Sequence, residues 1–135
     1  MDPVRVFSIV SWIALPTVMY GGYSLLGLLA RGTPWFTPFR ATYFRAGHAH
    51  AGVLLIMSLV YSTYLAQTTF SSGLKLLACI ILTVGVLAQS GGFFWHMLVG
   101  KQGRLSVGTI VTIVGALLLA FASLLLAYGL IVAHV

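Results

Sequence analysis

"LLACIILTVGVLAQSGGFFWHMLV", residues 76–99, runs its whole length without a charged side chain. An α-helix needs roughly 20 such residues to cross the hydrocarbon core of a bilayer. No water is present there to bond the backbone, so a crossing segment must satisfy its own N–H and C=O groups as a helix. Three further stretches of the same kind lie at 6–30, 48–70 and 105–133. The connectors between the four are residues 31–47, 71–75 and 100–104. Composition agrees: of 135 residues, 60% are hydrophobic and 6% charged, where a soluble domain carries about 25% charged. The reading is an all-α membrane protein, an antiparallel four-helix transmembrane bundle forming one domain over residues 1–135. The expected location is a bacterial or archaeal inner membrane. The first span lacks a small-x-small cleavage site and is too long for a signal peptide, so it is read as retained.

Charge narrows the chemistry. The chain has one acid, Asp2, at its extreme N-terminus. Paired-carboxylate acid–base catalysis, carboxylate-bridged di-metal sites and the buried acid of proton-coupled exporters therefore lack their key residue. The formal charge of +6 is read as lysine and arginine facing lipid headgroups, with no nucleic-acid partner. Cys79 is alone in an apolar run, which allows no intrachain disulfide and suggests a small core residue. The first and third connectors carry Arg31, Arg40, Arg45, Lys101 and Arg104, whereas the opposite side holds Arg5 and Lys75. The positive-inside rule then puts both termini on the non-cytoplasmic side. The short second and third connectors make their flanking helices antiparallel neighbours.

The first connector, "RGTPWFTPFRATYFRAG" at 31–47, alternates Trp35, Phe36, Phe39, Tyr43 and Phe44 with Arg40 and Arg45. Pro34 and Pro38 are expected to break any early helix. Such a segment suits an interfacial aromatic belt, or a cap whose arginines bind an anionic group.

Ionisable residues inside a membrane are functional candidates, because lipid makes them costly. His134 is read as a solvated tail. His48 and His50 stand three and five residues beyond Arg45, and His96 five residues before Lys101. At about 1.5 Å per residue, all three are expected roughly 5–8 Å inside a cationic flank, at one depth. His48 and His50 point to nearly opposite faces of one helix, so they are not expected to chelate together. His96 shares a face with Gly92, Gln89 and Gly85, and Gly91–Gly92 forms a notch for a flat ligand or for another helix. Gln89 needs a partner, with Tyr20, Tyr61 and Thr112 as candidates. Gly108, Thr112 and Gly115 recur at similar spacing on the fourth span. His50, Leu54, Met57, Tyr61 and Tyr64 form a stripe suited to a core, or to the wall of a cofactor pocket.

Neutral imidazole ligates haem iron, copper or zinc, and two histidines from adjacent helices can clamp a haem. The expected cofactor-binding residues are His50 and His96 as an axial pair, His48 as third ligand or proton carrier, and Gly92 as the slot. Arg40, Arg45 and Lys101 would meet the propionates. The string Gly47-His48-Ala49-His50-Ala51-Gly52 resembles the His-x-His segment of haem-copper oxidase and nitric-oxide-reductase catalytic subunits. There, one histidine binds the active-site haem and the next-but-one binds the low-spin haem. The resemblance spans those six residues and implies His48 and His50 as ligands. Those subunits have many more helices and histidines, so it implies neither oxygen reduction nor proton pumping.

The expectation is thus a small haem b redox protein of the bilayer, with a quinone or another redox partner. One alternative is a copper or zinc site with metal ligands His48, His50 and His96. Another is a non-enzymatic accessory or assembly subunit of a larger membrane complex. A homo-oligomer is also expected, since small-residue faces are plentiful.

Overall fold

The computed structural model describes residues 2–133 as four α-helices, all long and apolar enough to cross a membrane. They are α1 (Pro3–Ala30), α2 (Pro38–Leu65), α3 (Ser72–Val99) and α4 (Val107–Ala133). His134 lies outside the described residues. A 28-residue helix such as α3 is about 42 Å long, so its ends extend beyond a hydrocarbon core of about 30 Å.

The helix starts follow from local capping chemistry. Asp2 accepts a hydrogen bond from Val4 N ahead of Pro3, and Thr37 accepts from Arg40 N ahead of Pro38. Ser71 accepts from Leu74 N at the start of α3. Proline at the first helical position costs nothing, because its missing N–H would have no helical partner there. The expectation that Pro38 breaks a helix is therefore corrected: with Thr37 as its cap, Pro38 begins one. As a result α2 starts ten residues before the apolar run at His48, and most of the aromatic connector is helical. Pro16 lies inside α1 without ending it.

Helices α2 and α3 form the centre. Helix α1 packs on α2 and, less extensively, on α3; α4 packs mainly on α3. Helices α1 and α4 do not touch, so the bundle is open along one side. Its buried core joins Leu54, Tyr61 and Leu65 of α2, Cys79 and Leu82 of α3, and Leu119 and Ala122 of α4. Cys79 is a buried free thiol, as its surroundings in the sequence suggest. Tyr61 donates its hydroxyl to Ala122 O at 3.0 Å, a bond from α2 to α4.

The tightest contact is between α3 and α4. A Cβ placed on Gly92 would lie 2.6 Å from Gly108 O and from Thr112 N; one on Gly85 would lie 2.9 Å from the Leu119 side chain. Gly115 meets the backbone of Gln89 as closely. Small residues thus let the two backbones touch, the usual basis of helix association where no hydrophobic driving force exists. Thr112 Oγ1 lies 3.5 Å from the main-chain carbonyl of Gln89 and 3.0 Å from that of Gly108.

Candidate functional site

Each of the three described histidines has a different neighbour. His48 turns toward α1, where its ring lies against the Gly21–Gly22 step: a Cβ on Gly22 would sit 3.1 Å from Nε2. His50 turns toward α3, with its ring centroid 4.7 Å from that of Phe93. His96 is 4% exposed and closes the end of the α3–α4 seam. Its ring lies 4.3 Å from Tyr43 and 5.5 Å from Phe39, centroid to centroid.

The hydrogen bonds separate them further. His50 Nδ1 is 2.8 Å from Ala46 O, one turn back on the same helix. A carbonyl can only accept, so Nδ1 carries the proton. In the neutral ring Nε2 is then left with its lone pair. A second-nitrogen bond to a carbonyl is how metal-binding histidines are oriented. His96 Nδ1 instead lies 2.7 Å from Ser106 Oγ and 3.2 Å from Thr109 Oγ1. Those hydroxyls also accept each other's backbone N–H at the start of α4, Thr109 N to Ser106 Oγ and Ser106 N to Thr109 Oγ1. His96 therefore ties the end of α3 to the cap of α4. Ser106 and Thr109 were missed by the sequence reading, although a serine and a threonine three apart before an apolar run are a capping signal.

The shared depth expected for the histidines is revised. His96 lies at the level of Tyr43, and His50 at the level of Phe93. These stations are separated by three residues on α3 and seven on α2, on the order of 5–10 Å. The offset comes from the alignment of α2 with α3, which sets Tyr43, about two turns before His50, against His96. Among the described residues, no group of three or more His, Cys, Asp or Glu side chains is placed to hold a metal ion.

The expected slot also divides. Gly92 is buried against α4, so its face serves helix packing. Gly91 has nothing within 4 Å of a built Cβ. It opens on a groove of about 280 Å³ between α1, α2 and α3, and Ser90 lines that groove beside it. Arg40 is engaged elsewhere: its Nη1 donates to Trp35 O at 2.7 Å, and the guanidinium lies 4.3 Å above the Trp35 ring. Arg45 and Lys101 are exposed on α2 and the third connector. The stripe of α2 serves both of its expected uses in part. Leu54 and Tyr61 are core, while Met57, Tyr61 and Tyr64 line a second groove of about 240 Å³ against α4.

No protein-family model matches the chain, and neither a characterised protein nor a solved structure matches it significantly.

Proposed function

We propose that the protein is a small membrane redox component in which His50 would hold haem b. The observation that carries this reading is the Ala46 carbonyl on His50 Nδ1, which pre-orients the ring and frees Nε2. Phe93 fixes the ring plane, and Arg45 and Lys101 are exposed cations available to propionates. Bound haem would supply one-electron transfer. A clamp between His50 and His96 within one chain does not fit, because His96 is held by Ser106, Thr109 and Tyr43, and α4 fills the Gly92 notch. A second ligand would come from another copy of the chain, because His48 faces α1, away from His50. By the positive-inside rule, the connector carrying Arg31 and Arg40 and that carrying Lys101 and Arg104 face the cytoplasm of a bacterial or archaeal inner membrane.

The test is the absorbance spectrum and iron content of the purified protein. Wild type is expected to show a Soret band with stoichiometric iron, and His50→Ala to lose both. A colourless wild type, or an unchanged spectrum in His50→Ala, rules the reading out.

One observation favours an accessory-subunit reading. Tyr20 and Tyr23 of α1 and Arg31, which caps its C-terminus, are exposed around an open hollow of about 500 Å³, a polar face for lipid contact. Migration in mild detergent as part of a larger heteromeric complex would support it.

A further inference from the structure

The groove beside Gly91 has an unusual polar atom. Ser90 is 6% exposed, and its Oγ is the one buried side-chain nitrogen or oxygen among the described residues without a hydrogen-bond partner. Five other helical serines avoid this state. Ser8, Ser11, Ser24, Ser58 and Ser123 each donate to the carbonyl four residues back. An unsatisfied buried hydroxyl costs about 1–3 kcal/mol, and in lipid no water relieves it.

The surroundings of that hydroxyl have a definite shape. Ala14 and Thr17 of α1, Ala51 of α2 and Gly91 of α3 are small residues that line the groove from three helices. Phe94 provides an aromatic wall. Thr17 has already given its proton to Ala14 O at 2.6 Å, so Ser90 is the free donor. The volume, about 280 Å³, is just below the range of about 300–1,000 Å³ for small-molecule sites. It suits one substituted ring whose tail continues into lipid, and is too small for a porphyrin with its side chains.

We infer that this groove binds the head of a lipid-soluble quinone, with Ser90 Oγ as its polar anchor. A serine hydroxyl is both donor and acceptor, so once a rotation about its Cα–Cβ bond turns it from its buried position into the groove, it can donate to a quinone carbonyl or accept from a quinol hydroxyl. The flat slot between small residues takes the ring, and the aliphatic walls take its substituents. The choice of a quinone among lipophilic carbonyl compounds rests on the redox reading above. The slot and its anchor stand on the geometry of Ser90 and Gly91.

The experiment is photolabelling of the full chain in lipid nanodiscs with an azido derivative of decyl-ubiquinone, followed by peptide mapping. Saturable labelling of α1, α2 or α3 residues lining the groove is expected, competed by unlabelled decyl-ubiquinone. Gly91→Leu, which fills the slot from an open position, is expected to abolish it. Ser90→Ala is expected to weaken competition roughly 2–10-fold without lowering thermal stability. His50→Ala separates the two proposals: it is expected to lose haem and keep the quinone label. The inference is overturned if wild type shows no saturable label. It is also overturned if Gly91→Leu leaves labelling unchanged, or if native mass spectrometry finds a phospholipid there that the quinone does not displace.

Discussion

Gly91 and Gly92 are consecutive residues with opposite fates. Gly92 faces α4, where a single added carbon would press on Gly108 O and Thr112 N. Gly91 faces α1 and α2, with open space around it. The two faces differ in the same way throughout. Along the α3–α4 seam, backbones touch, Thr112 reaches carbonyls, and His96 is bonded to Ser106 and Thr109. Along the α1–α2–α3 side there is a groove, and Ser90 Oγ lacks a partner. The seam is built for cohesion. The groove keeps an unmet polar group that a cohesive interface would have satisfied, which is why the search for a ligand belongs there.

The contrast can be broken by mutation, and the largest effect is expected at Gly92. Gly92→Leu places a branched side chain against backbone that has no room to yield, and is expected to leave no folded protein in detergent. Gly91→Leu at the next position is expected to fold. Equal damage at both positions, measured by thermal unfolding in micelles, removes the distinction. His96→Ala comes next, with an expected loss of about 2–4 kcal/mol from the vacated packing and the orphaned α4 cap. Denaturation in mixed micelles measures it, and a near-neutral result means that the α4 cap does not depend on His96.

Tyr61→Phe removes the one hydroxyl bond from α2 to Ala122 O and is expected to cost about 0.5–1.5 kcal/mol, toward the lower end if the membrane norm of about 0.6 applies. The smallest effect carries the sharpest sign. Ser90→Ala deletes an unpartnered hydroxyl, so it is expected to be neutral or to stabilise by up to about 1 kcal/mol. A clear destabilisation measured in ligand-free protein shows that the hydroxyl already has a partner.

Much of the architecture was legible in advance. The four apolar runs follow from hydropathy, their antiparallel order from short connectors, and the helix faces carrying Gly85, Gln89, Gly92 and His96 on α3 and Gly108, Thr112 and Gly115 on α4 from helical period. The start of α2 was misread because Pro38 was weighed without Thr37: the same proline that breaks a helix interior opens one behind a capping hydroxyl. The site was less legible. His50 with Ala46 O is an i to i−4 bond, local enough to foresee once a helix is assumed. His96 with Ser106 depends on how α3 meets α4. Ser90 gave no signal, since a helical serine ordinarily bonds to its own backbone.

The sequence alone determined that this chain crosses a membrane, how often, and which residues share a helix face, because hydropathy, capping and the 100° turn per residue are local properties. Only the tertiary structure decided which face each helix turns to which neighbour. Nearly every face of these helices is apolar, so hydropathy gives no preferred rotation about the axis. The close fit of Gly92 to Gly108 and Thr112 sets that rotation. It leaves Gly91 and Ser90 facing a groove, and separates His96 from His50.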